Sequence, residues 1–242
     1  MRLNRFLARA GAAQSRRKAE GLIEAGRVRV NGEAVVELAT QVEPGVDEVE
    51  LDGAVVELPD EHAYLMLHKP AGYVTSAADP HADHTVFELV DRARYPALVY
   101  VGRLDADTTG LLLFTDDGAL VDALAHPRRH VDKVYEAHVK GVPDEAALSR
   151  LRAGVQLEDG MTAPAGARLL SCGKSGAVVE LRIHEGRKRQ VKRMLAAVGH
   201  PVESLHRAAF GPLSLGELEP GACRELTCDE LAALRACAGI VS

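Results

Sequence analysis

The chain has 242 residues, enough for one large domain or two unequal ones. Hydrophobic residues make up 47% and charged residues 26%, as in a globular chain with a buried core, and a formal net charge of −6 excludes a uniformly basic, histone-like nucleic-acid binder. No apolar run approaches the roughly 18 residues of a membrane span, no apolar secretory stretch follows the basic amino end, and Cys172, Cys223, Cys228 and Cys237 form no disulfide framework, so a protein with reduced thiols in the cytoplasm is expected.

Leu3, Phe6, Leu7 and Ala10 recur at helical spacing, and Gly11 ends that helix. Ser15 is placed to cap a second helix, which buries Ala19, Leu22 and Ile23 and stops at Gly26; Lys18 stands where a full capping box would need Glu or Gln. Val28 and Val30 alternate with Arg27 and Arg29 as in a half-buried strand, and Asn31-Gly32 predicts a tight hairpin. Residues 1–31 carry eight bases and two acids, whereas residues 32–60 carry nine acids and no base, so the net charge hides a local basic face. Arg16, Arg17 and Lys18 open the second helix, where the dipole also attracts phosphate. The stretch from Arg2 to about Val35 resembles the S-four-type RNA-binding domain, named for a small-subunit ribosomal protein. That resemblance implies RNA contact through Arg5, Arg9, Ser15, Arg16, Arg17, Arg27 and Asn31.

A strand and turn are expected over Val49–Leu58, and Pro59-Asp60-Glu61-His62 reads as a linker. The expected domains are therefore 1–60 and 61–242. Beyond the linker, strands are predicted at Leu65–Leu67, Leu98–Val101, Leu111–Phe114, Val134–Val139 and Ala177–Ile183. A helix is predicted from Pro143 through Leu151, another carries the stripe Val191, Met194, Leu195 and Val198, and Thr227 with Glu230 makes a capping box for the last. Uneven mixing of strands and helices predicts an α+β fold.

The segment Gly102-Arg103-Leu104-Asp105-Ala106-Asp107-Thr108-Thr109-Gly110 lies between two apolar strands. It can be a plain turn, a D-x-D metal site, a general acid–base pair, or the carrier of a carboxylate nucleophile. His81 with His84, and His126 with His130, are spaced for ligation but have no cysteine nearby, so no metal is expected. Gly173-Lys174-Ser175 lacks the earlier glycine of a phosphate loop, because Arg168 stands there, and neither a dinucleotide fingerprint nor a serine-hydrolase elbow occurs. Arg187, Lys188, Arg189, Lys192 and Arg193 cluster at a helix start. They can form a solvated face, bind phosphate, or place a cation beside a buried carboxylate.

Gly102–Asp105 with Thr109-Gly110-Leu111, then Lys133-x-Tyr135, then Glu185-Gly186-Arg187-Lys188-Arg189-Gln190-Val191-Lys192-Arg193-Met194 resemble the three motifs of RNA pseudouridine synthases. Lys69-Pro70-x-Gly72 and Phe210-Gly211-Pro212-Leu213 fit the branch that acts on ribosomal RNA and carries an S-four-type domain in front. The resemblance implies a catalytic domain with a mixed, mainly antiparallel sheet and flanking helices, acting as a monomer on ribosomal RNA, with no cofactor and no membrane partner. It implies Asp105 as nucleophile, Tyr135 as the ring stacked on the target base, and Lys192 as the cation paired with Asp105. It further implies that Arg103 helps hold a flipped nucleotide, that Arg187 contacts RNA or supports the loop, and that Asp107 is structural. Residues 154–165 and 210–221 favour the large-subunit (23S) target, while 126–137 and 190–200 are also similar to small-subunit (16S) members. A non-catalytic ribosome-associated RNA binder is the alternative from another class.

Overall fold

The computed structural model describes residues 1–59, 61–77, 79–125, 129–174 and 176–240. The chain divides into two compact units. The first holds Met1–Ala63 with the segments Asp91–Val99 and Thr115–Asp117; the second holds the remainder, beginning at Tyr64. Asp60, within the expected linker, lies outside the described residues.

In the first unit, α1 (Leu3–Arg9) and α2 (Arg16–Glu24) pack on a four-stranded sheet built from β1 (Val28–Val30), β2 (Glu33–Val35), β3 (Val49–Leu51) and β4 (Ala54–Val55). The helices bury Leu3, Phe6, Leu7, Ala19 and Ile23 against Val28 and Val49, while Leu22 stays half-buried. Ser15 Oγ accepts from the Lys18 backbone N–H at 3.1 Å and starts α2. The β1–β2 hairpin turns at Asn31 and Gly32, both with positive φ, the conformation that two-residue hairpin loops need.

The second unit is a mixed nine-stranded sheet with helices packed against it. Its elements in order are β5 (Tyr64–Lys69), a 3₁₀ turn (Val86–Leu89), β6 (Val99–Val101, straddling the division), β7 (Thr108–Thr115), α3 (Gly118–Ala125), β8 (Lys133–Lys140), α4 (Glu145–Ala153), β9 (Gln156–Leu157), β10 (Gly160–Met161), β11 (Gly166–Cys172), β12 (Gly176–Ile183), α5 (Gln190–Ala197), β13 (Val202–Phe210), β14 (Leu213–Ser214), β15 (Cys223–Glu225) and α6 (Cys228–Cys237). The main path runs β11-β12-β8-β13-β7-β5-β15. Neighbours along β11, β12, β8 and β13 are antiparallel, and β13 runs parallel to β7. Leu120 and Leu124 of α3, Leu234 of α6 and its C-cap Ala238 cover Met66, Leu111, Leu113 and Phe210 in one apolar core.

Two sequence expectations shift at their edges, and two strands were not expected. Helix α4 starts at Glu145, not Pro143, because Asp144 takes the cap and accepts from the Ala147 N–H at 2.7 Å. Strand β7 begins at Thr108, so the last three residues of the expected Gly102–Gly110 connection belong to the sheet. The edge strand β11 and the strand β13 carry no clean apolar alternation: β11 is mostly exposed, and β13 has two register shifts against β8. All four cysteines are free, and no helix among the described residues is long and apolar enough to cross a membrane.

Candidate active site

The loop between β6 and β7 is bound from beneath by the segment that follows β5. Lys69 is fully buried, and its ammonium donates to the carbonyls of Pro70, Ala106 and Thr108 at 3.0, 3.2 and 2.9 Å. The Gly72 N–H donates to the Ala106 carbonyl at 2.8 Å. Thr75 Oγ1 donates to the Leu104 carbonyl at 2.8 Å and accepts from the Leu104 N–H at 3.3 Å. Burial pushes the Lys69 ammonium down to about 8, against the opposing pull of Asp107 and Asp105. Leu104 is thus buried, whereas Arg103, Asp105 and Asp107 face solvent.

The strand that follows is seated by a close approach. Gly110 has φ +114, and a Cβ there would lie 2.3 Å from the Arg207 carbonyl oxygen, so only glycine lets β7 pair with β13 at this register. Arg207 is buried, donates Nε to the Leu111 carbonyl at 2.7 Å and lies over the Phe210 ring at 5.4 Å.

Helix α5 brings the cations. Lys192 Nζ donates to Asp107 Oδ1 at 2.5 Å and lies 3.6 Å from Asp105 Oδ2. Arg189, which caps α5 in a left-handed conformation (φ 51), places Nε 3.9 Å from the same Asp105 oxygen. The Lys192 hydrogen bond holds the Asp107 carboxyl below the usual carboxylate range. Among the described residues no side-chain hydrogen bond uses the Asp105 carboxylate. Asp105 is 42% exposed, so the carboxylate that receives these cations is not the buried one the basic cluster suggested.

The other basic residues of the cluster have different work. Arg187 donates to the carbonyls of Gly160 and Met161 at 3.1 and 2.6 Å and to Glu185 at 3.0 Å. Arg193 forms a two-pronged pair with Asp159, both bonds at 3.0 Å. Both guanidinium groups therefore brace the β9–β10 hairpin. Glu185 and Gln190 close the turn before α5 with a 2.7 Å bond.

Tyr135 is buried on β8, opposite Leu181 of β12 and Arg207 of β13. Among the described residues no hydrogen bond links it to Asp105 or Lys192. In the first unit, Arg16 and Arg17 are exposed at the start of α2 and Arg5 is half-buried on α1. The other candidate RNA-contact residues have partners within the unit. Arg9 pairs with Asp116 at 3.7 Å, Arg27 holds Asp52 with two bonds of 2.9 and 2.5 Å, Ser15 caps α2, and Asn31 bonds Asp47 and the Glu48 N–H, each at 2.9 Å.

No group of three or more His, Cys, Asp or Glu able to hold a metal occurs among the described residues. His84 pairs with Glu88 at 2.9 Å; His126 of the second spaced histidine pair, and Ser175 of the Gly173-Lys174-Ser175 run, lie outside the described residues. Sequence reasoning placed Lys69 in a motif without a task and gave Arg189 no role apart from that of the basic cluster. For Arg189 the signal was a basic residue at the helix start directly before Gln190.

A family profile described as RNA pseudouridylate synthase matches residues 63–197, and one described as S4 domain matches residues 1–47. The chain is 46% identical to the ribosomal large subunit pseudouridine synthase B of Bacillus subtilis (strain 168), over 98% of this chain and 96% of that protein. It is also 46% identical to an RNA pseudouridine synthase of Aquifex aeolicus (strain VF5), over 99% of this chain and 96% of the relative. A crystal structure of a pseudouridylate synthase superposes with a TM-score of 0.69 at 34% identity, covering 97% of this chain and 99% of that one.

Proposed function

The chain belongs to the RNA pseudouridylate synthase family and carries an S4 domain at its amino end, and on that footing we propose that it isomerises a uridine of large-subunit (23S) ribosomal RNA to pseudouridine, with Asp105 as the nucleophile. The residues 61–242 form the catalytic domain of this reading, and residues 1–60 the RNA-binding one. The protein acts in the cytoplasm, as a monomer.

The reaction breaks the bond between uracil N1 and ribose C1′ and joins C5 to C1′. C5 gives up its proton and N1 ends with one, so nothing is oxidised and no group is transferred. A carboxylate can drive this by attacking C1′ or C6, or by removing a ribose proton. The observation that carries the reading is the state of Asp105: two cations stand 3.6 and 3.9 Å from Oδ2, and neither is within hydrogen-bond reach. Cations at that distance leave the lone pairs of the carboxylate available to a substrate. The target base has to leave its stack to reach this carboxylate. Tyr135 supplies a flat ring for the extruded base, and the exposed Arg103 supplies a charge for its phosphate.

Asp105→Asn tests the assignment. Product formation, followed by tritium release from C5-labelled uridine in ribosomal RNA, is expected to vanish while RNA affinity stays at the wild-type value. A variant that forms pseudouridine at the wild-type rate removes Asp105 from the chemistry. Mapping pseudouridines in ribosomal RNA from cells lacking the protein tests the subunit: a site missing from 16S and none from 23S overturns the 23S target.

A further inference from the structure

Two carboxylates share one ammonium, and they share it unequally. Lys192 gives its short bond, 2.5 Å, to Asp107, and keeps 3.6 Å from Asp105. A charge-assisted bond of that length ties up a lone pair of its acceptor, whereas a charge at ion-pair distance stabilises the anion without occupying it. The partition is built into the fold. Asp105 and Asp107 stand on a loop whose carbonyls at Ala106 and Thr108 are both held by Lys69, and the Thr108 N–H donates to the Asp105 carbonyl at 3.1 Å. The side chain of Lys192 is only 14% exposed, so its ammonium has little freedom to choose another partner. Arg189 approaches the same oxygen of Asp105 from the α5 start and also stops at ion-pair distance.

We infer that Asp107 is a positioning residue: by accepting the short hydrogen bond of Lys192 it holds that ammonium off Asp105 and leaves the Asp105 oxygens free to attack. This rests on the reading of Asp105 as the nucleophile. It gives Asp107 a task beyond shaping the turn. The two carboxylates are not an acid–base pair; one reacts, and the other occupies the cation that would otherwise bind it.

The test uses the full chain with Asp107→Ala, and Asp107→Glu as the conservative variant. In Asp107→Ala the ammonium is expected to move onto Asp105. A displacement of that size lowers the single-turnover rate of pseudouridine formation by about 10- to 100-fold, while RNA affinity changes by less than about two-fold, the pattern of a loss felt only in the chemical step. Asp107→Glu restores part of the rate. A crystal structure of Asp107→Ala supplies the readout that a turn-shaping role would not move: Lys192 Nζ within hydrogen-bond distance of Asp105. A wild-type rate in Asp107→Ala, or Lys192 remaining at its present distance from Asp105, overturns the inference. Asp107→Leu, which keeps the approximate shape of the side chain but offers no acceptor to Lys192, is read in the same two ways should the alanine variant not fold. A wild-type protein inactive on every ribosomal RNA would instead overturn the proposed reaction, and the position of Lys192 in the variant still decides the role of Asp107.

Discussion

Lys69 is shut off from solvent, and its ammonium is spent on three backbone carbonyls, two of them in the loop that carries Asp105 and Asp107. Lys69→Met leaves the Ala106 and Thr108 carbonyls without this donor, and loops held in one conformation by such bonds move when the donor is removed. The expected result is a fall in the rate of about 100-fold, from a displacement of about an ångström at Asp105, with RNA affinity preserved; single-turnover kinetics and filter binding check it. The same residue sets a pH signature. Its folded value of about 8 lies below the ordinary 10.5, so between these limits the unfolded chain binds more protons here than the folded one. Stability therefore rises with pH across that window and gains nothing from Lys69 below it. Urea unfolding at several pH values should show this rise in the wild type and not in Lys69→Met. Sequence alone showed the Lys69-Pro70-x-Gly72 motif and not its purpose. The acceptors lie 37 and 39 residues away, and a lysine at the end of an apolar strand carries no mark that it turns inward.

At the scale of elements, what was readable followed from local chemistry. Thr227 and Glu230 form a reciprocal cap on α6, and Asn31-Gly32 closes the β1–β2 hairpin, because both devices are complete within a few residues. Strands β11 and β13 were not readable, since one is an exposed edge and the other bends past two register shifts, so neither keeps a period of two. The α6 cap extends to β15: Arg224 forms two 2.7 Å bonds to Glu230, which with the cap hold that carboxyl down to about 2. Thr227→Ala is expected to cost about 1 kcal/mol in unfolding free energy, measured by urea denaturation. The Glu230 contribution has the same pH sense as that of Lys69, in an acid window instead of an alkaline one. It is fully present above the ordinary 4.5 and is lost as pH falls toward 2, so Glu230→Gln should flatten the acid limb of the stability curve.

Over the whole molecule, charge is sorted more sharply than the net value of −6 shows. Within the first unit, several bases are already neutralised: Arg27 by Asp52 and Arg9 by Asp116. Arg16 and Arg17 remain exposed at the start of α2, where the helix dipole adds to their field. For every phosphate that a variant no longer neutralises, the slope of log affinity against log salt should fall by about 0.7–0.9. Arg16→Gln with Arg17→Gln in the full chain is therefore expected to flatten the salt dependence of RNA binding without touching the chemical rate. An unchanged slope would place the phosphate-binding residues elsewhere.

The pairing of β7 with β13 joins segments some hundred positions apart, as in the 96-residue separation between Arg207 and its acceptor Leu111. Pairings that distant form late, because a long stretch of chain has to be closed first. On the ribosome, the amino-terminal unit's helices and most of its sheet are synthesised well before β13 emerges, whereas the strand that anchors Asp105 waits for its partner. A nascent chain halted before β13 thus carries the complete four-stranded sheet of the S4-containing unit while β7 still lacks its parallel partner.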